Sequence, residues 1–231
     1  MIFSAIRQII SGGSVDFTSL VAQVLSVLFV IICILPLHEF AHGLIAVKLG
    51  DNTPKWDKRL TLNPIASLDP IGALALLLFG FGWAKPVQVN PRNFKNPKTG
   101  MAIVALAGPV SNLLAAFLGM CILMPILIFA PYNGFVLFIY YFLEYYIIVN
   151  IGLAVFNLIP IPPLDGSKIL MAFLNDRFLS FYYQYQQIIT MVLFAVLFTG
   201  ILSRPLTIVE NFIYNGMFDL ASLPYKLLGA F

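Results

Sequence analysis

The chain reads as an all-α polytopic membrane protein, with about four spanning helices, a re-entrant or extended connector, and an amphipathic C-terminal segment. Three observations carry this. Of its 231 residues, 60% are hydrophobic and only 10% are charged, where a soluble domain holds about 25% charged residues. Mean hydropathy is +0.93. Apolar runs long enough for a hydrocarbon core of about 30 Å recur along the chain.

The first run spans Phe17–Lys48, about 48 Å as a helix at 1.5 Å per residue, so its end emerges from the bilayer near Gly50. A polar, proline-rich connector follows over 51–100, interrupted by an apolar run at 71–83. Asp69-Pro70 has the form of an N-cap and first-turn proline opening a short helix. At about 13 residues that run is too short to cross and is expected to re-enter. The stretch 83–91 reads as extended, because prolines bracket it and Val87 and Val89 alternate with Gln88. Spanning segments are then expected over 101–130, 134–158 and 187–202. The tail, 203–231, is amphipathic and suited to the membrane interface. All of this reads as one membrane-embedded domain over 1–231, with its core at about 20–175.

Charge orients the chain. Eight of the thirteen Lys and Arg residues lie between Lys48 and Lys98, and Lys168 and Arg177 add two more. The positive-inside rule places these segments in the cytoplasm. The net charge of +3 is too small and too scattered to argue for nucleic acid. Cys33 and Cys121 sit in apolar runs and read as small core hydrophobes. Residues 1–13 lack the pattern of a cleavable signal peptide.

Both histidines of the chain fall in one pentapeptide, His38-Glu39-Phe40-Ala41-His42. Imidazoles at i and i+4 share a helix face, the spacing a tetrahedral metal ion needs from two ligands. The intervening Glu39 can act as a general base without ligating. Burying these three side chains in an apolar segment with no compensating ion would be expensive. A catalytic zinc usually takes three protein ligands and a water. With no third histidine, the remaining ligand is a carboxylate or a cysteine. Asp165 is the candidate: the prolines at 160, 162 and 163 break any helix before it, and irregular backbone at membrane depth implies a hydrated pocket. Gly166 is expected to free the backbone after it.

His38-Glu39-x-x-His42, followed two spanning segments later by Asn157-x-x-Pro160-x-Pro162-x-x-Asp165-Gly166, resembles the site-2 protease family. Gly108-Pro109-x-x-Asn112 resembles that family's middle signature. The likeness covers roughly residues 20–175 and is closest to short bacterial members without PDZ or CBS domains. A departure is Ala66, where many of those members carry histidine. The resemblance implies one Zn²⁺ held by His38, His42 and Asp165. It also implies that Glu39 activates the attacking water and that Asn157 stabilises the oxyanion. The implied activity is intramembrane cleavage of single-span membrane proteins at the cytoplasmic side of the cell membrane.

Competing readings are a membrane zinc carrier or sensor, an inactive scaffold, and a membrane peptidase with Glu144 or Glu210 as third ligand. Glu144, in an aromatic-rich stretch, is expected near the headgroups. Asn112 and Asn150 are expected to make interhelical hydrogen bonds. Pro86 to Asn90 is a candidate edge for pairing with an unwound substrate.

Overall fold

A computed structural model describes residues 16–79 and 82–229; the signal-peptide expectation for residues 1–13 lies outside them. Among the described residues the structure is helical throughout, without strands. Three helices are long and apolar enough to cross a membrane: α1 (Phe17–Lys48), α5 (Pro97–Phe129) and α6 (Gly134–Asn157). Between them lie α2 (Thr53–Trp56), α3 (Pro64–Ser67) and α4 (Pro70–Phe79). After them come α7 (Asp165–Met171), α8 (Asp176–Thr199) and α9 (Ser203–Leu227).

α1 opens on Asp16, whose carboxylate accepts from the Thr18 and Ser19 amides, an N-cap of the usual kind. Halfway along, the helix widens into a π turn over Val30–Ile34, where the Leu35 amide reaches back five residues to the Val30 carbonyl. The cause follows directly in the sequence. Pro36 lacks an N–H and its ring crowds the preceding turn, and one extra residue per turn relieves the crowding. The π turn also sets the rotation at which the histidine face emerges below it.

The apolar run at 71–83 forms α4 and then returns. Its ends meet where the Lys85 amide donates to the Ser67 carbonyl at 2.8 Å. The Arg59 guanidinium clamps both sides by donating to the Ala66 and Lys85 carbonyls. The element thus enters and leaves at one level, as a hairpin. Its inner face, with Leu76 fully buried, packs on Val27, Val30, Ile31 and Ile34 of α1.

α5 lies at the centre, against α1 on one side and α6 on the other. Its contacts with α6 pass through a core of Ala116, Met120, Leu123, Ile147 and Ile151. The C-terminal helix α9 does not lie apart from the bundle. Its apolar face, including Ile213, Met217 and Ala221, packs on that same core. A lipid interface and a groove between helices reward the same amphipathic pattern, so the sequence alone does not reveal this packing.

The expectations for the two cysteines and for Gly166 change. The predicted fourth span at 187–202 falls in α8, which begins with a polar turn at Asp176 and ends at Gly200 in the left-handed region (φ 73°); it is not among the three spanning candidates. Cys33 and Cys121 are exposed on the outer surface of the spanning helices; lipid and protein core demand the same apolarity. α6 begins at Gly134, and Glu144 lies ten residues inside it. Gly166 is an ordinary helical residue without positive φ. It is needed for closeness instead, because a Cβ there would lie 2.2 Å from the Leu158 carbonyl oxygen.

Candidate metal centre

Three segments far apart in sequence meet beside the C-terminal half of α1. His38 and His42 stack one turn apart on α1, their rings edge to face at 4.7 Å. Asp165, the first residue of α7, reaches both: its Oδ2 lies 3.1 Å from His42 Nε2 and 3.3 Å from His38 Nε2. The two Nε2 atoms are 3.0 Å apart. All three residues are buried. Among the described residues they form the group of three ligand-type side chains able to hold a metal ion, and neither Glu144 nor Glu210 belongs to it.

The donor set fits zinc. Tetrahedral bonds of about 2.0–2.1 Å give donor–donor edges of about 3.3–3.4 Å, and the observed triangle is only a few tenths tighter. The far side of each imidazole is also engaged. His42 Nδ1 donates to the Val104 carbonyl at 2.7 Å, and His38 Nδ1 pairs with Asn112 Oδ1 at 3.3 Å. Both partners are acceptors, so each Nδ1 carries the hydrogen and each Nε2 presents its lone pair to the centre. Space for the ion is kept by Gly108 on α5. A Cβ there would come 2.3 Å from His42 Nε2 and 2.5 Å from His38 Nε2.

Glu39 lies beside the pair on α1, and its Oε2 accepts the Val87 amide at 2.8 Å. That bond ties the base candidate to the extended segment of the connector. Asp51 anchors the same segment from the end of α1. Its carboxylate accepts from the Asn90 amide and from Asn93 Nδ2, both at 2.7 Å, and from Thr53. Burial opposes the Asp51 charge, but these donors outweigh it and hold its carboxyl below the usual carboxylate range.

A cavity of about 440 Å³ opens onto the centre, lined by Glu39, Val87, Asn157, Asp165 and Lys168, and on its far side by Trp83 and Phe194. The last two meet edge to face at 5.9 Å. Asn157 ends α6 inside this cavity, and its amide nitrogen donates to the Leu153 carbonyl at 2.9 Å. A primary amide has a second N–H, so this bond does not exhaust it. Thus His38, His42 and Asp165 come together, and Glu39 and Asn157 line the same cavity.

Several contributors were not legible beforehand. Gly108 and Asn112 stood out as part of a family-like signature, with no role at the metal attached to either. Asp51, Val104 and Lys168 left no motif-level signal. The carbonyl and the glycine act through backbone position, which a side-chain pattern does not encode.

Residues 125–200 match the model of peptidase family M50, a stretch that contains Asn157 and Asp165 but not the histidines. Three curated relatives are each named a "putative zinc metalloprotease". YwhC of Bacillus subtilis (strain 168) is 46% identical over 136 residues, 58% of this chain and 62% of that protein. A Methanocaldococcus jannaschii protein is 32% identical over the same shares. Rip2 of Mycolicibacterium smegmatis is 30% identical over 61% of this chain and 54% of its own length. The match therefore spans less than two thirds of each relative. No solved structure matches.

Proposed function

We propose that this chain, which is similar to peptidase family M50 over residues 125–200 and to relatives named putative zinc metalloproteases, is an intramembrane zinc endopeptidase of the site-2 protease type, cutting single-span membrane proteins near the cytoplasmic face. The observation that carries the reading is the convergence of Asp165 Oδ2 on both Nε2 atoms, within 3.3 Å, beside a general-base carboxylate. A zinc carrier needs the three donors but has no use for Glu39, nor for a cavity that runs past the donors along an extended backbone.

His38, His42 and Asp165 would hold the ion. When bound, zinc supplies Lewis acidity, which brings the pKa of a water down to about 7 and polarises a carbonyl. Glu39 takes the proton of the attacking water and delivers it to the leaving amine. Val87 keeps one Glu39 oxygen occupied and orients the other toward the cavity. The Asn157 amide donates to the developing oxyanion.

A substrate helix hides its peptide bonds, so it must unwind and pair with something. The extended segment offers that pairing, but the Val87 and Asn90 amides are already taken by Glu39 and Asp51. The substrate strand would accordingly pair at Gln88 and Val89. Val89→Pro should reduce cleavage and spare bound zinc; unchanged cleavage would remove this part of the reading.

The central experiment uses detergent-purified protein, its zinc content, and a panel of single-span substrates. Glu39→Gln should retain about one zinc and lose turnover, whereas His42→Ala should lose both. Full cleavage by Glu39→Gln, or a wild type without stoichiometric zinc, would refute the assignment.

A further inference from the structure

The two oxygens of Asp165 face different neighbours. Oδ2 points at both histidine Nε2 atoms, while Oδ1 accepts from Lys168 Nζ at 3.0 Å. From this division we infer that Lys168 is a positioning residue that keeps Asp165 a one-oxygen ligand and so preserves an open coordination position for the attacking water. The inference rests on the reading that Asp165 ligates zinc.

The argument begins with the short helix α7. Asp165 and Lys168 are one turn apart on it, on a common face. The turn is rigidly seated. Gly166 lies flush against the Leu158 and Ile159 carbonyls, and the Ser167 hydroxyl donates to the Leu164 carbonyl at 2.6 Å. The ammonium is thereby delivered to one oxygen and withheld from the other.

A carboxylate with both oxygens free can close onto a metal through two of them. That would fill the place which a three-ligand catalytic site leaves for water. An ammonium on Oδ1 prevents it and also draws electron density from the carboxylate, leaving the ion a stronger Lewis acid. Lys168 is partly open to the cavity, with its side chain 37% exposed while Asp165 is only 9% exposed. The charge pair therefore lies at a boundary, where the lysine stays hydrated and Asp165 does not. This placement makes Lys168 replaceable without leaving a fully buried orphan charge on its own side.

The test substitutes cobalt(II) for zinc and records the visible absorption of wild type, Lys168→Met and Lys168→Arg, alongside steady-state cleavage of one substrate. Lys168→Met should bind one cobalt with a weakened and shifted spectrum, as a second carboxylate oxygen enters the coordination sphere. Its kcat should fall about 10- to 100-fold with KM little changed. Lys168→Arg, which still donates to Oδ1, should restore the wild-type spectrum and most of the rate. A wild-type spectrum in Lys168→Met overturns the inference, as does a rise in KM alone, which would make the lysine a substrate contact. So does Lys168→Arg behaving like Lys168→Met. Lys168→Ala serves the same comparison should the methionine variant not fold. If wild type binds no cobalt, or Asp165→Ala binds it unchanged, the metal-site reading itself has failed. If metal binding depends on Asp165 and only the Lys168 spectrum is unmoved, that reading stands and this inference alone falls.

Discussion

At the scale of single residues, the centre depends as much on an absent side chain as on those present. Gly108 lets α5 approach the imidazoles to a distance at which even a methyl group would collide with both Nε2 atoms. Both histidines sit on a rigid, buried turn, so they have little room to yield. Gly108→Ala should fold, because alanine is the better helix former, yet lose bound zinc and activity together. Metal analysis of the purified variant checks this, and a zinc content equal to wild type would contradict it. Asn157 is the opposite case, a side chain at the cavity wall whose amide is partly used by its own helix. Asn157→Ala should leave zinc in place and lower kcat by about 10²- to 10³-fold, the usual loss for one oxyanion donor. Metal loss in that variant would recast the residue as structural.

At the scale of elements, the extended segment of the connector is placed by two carboxylates, one on α1 and one just past its end, rather than by a sheet. Glu39 holds Val87 and Asp51 holds Asn90 and Asn93. Hydrogen bonds to a charged acceptor contribute about 1.5–3 kcal/mol each when lost from a buried site. Asp51→Ala should therefore loosen the segment by a few such increments at most and reduce cleavage without touching the metal donors. The pH dependence has a definite sign. The folded Asp51 carboxyl is held below its ordinary value of 3.8, so its contribution is complete above that pH and is lost as pH falls through the folded value. Hydrogen exchange of the Asn90 amide, corrected for intrinsic rate, should accelerate below about pH 4 in wild type. In Asp51→Asn the corrected protection should be lower and flat across the same range.

At the scale of the whole molecule, three long helices and a returning hairpin surround the site and its cavity. Ten basic residues flank the connector and α7, and Lys168 among them lines the cavity. By the positive-inside rule, the proposed topology puts these segments in the cytoplasm. A cysteine introduced for Lys95, in a background with Cys33 and Cys121 replaced by serine, should react with an impermeant thiol reagent in inverted membrane vesicles. It should remain unlabelled in intact cells. Labelling from the cell exterior would reverse the proposed topology.

Much was determined by the sequence alone, and for identifiable physical reasons. Composition forces a membrane solvent. The i, i+4 histidines with Glu39 between them specify a helical metal motif, and the prolines before Asp165 dictate a helix break at membrane depth. The short apolar run at 71–83 cannot cross. These are local constraints, written in spacing, length and backbone chemistry. What only the tertiary structure decided are the partnerships across distance: Gly108 against the imidazoles, Val104 and Asn112 behind them, Val87 on Glu39, and Lys168 on the spare oxygen of Asp165. It also decided that α9 packs on the bundle and that both cysteines face outward. In a bilayer, lipid and protein interior ask for the same side chains, so hydropathy reports how deeply a residue is immersed, while its neighbour is set by helix packing.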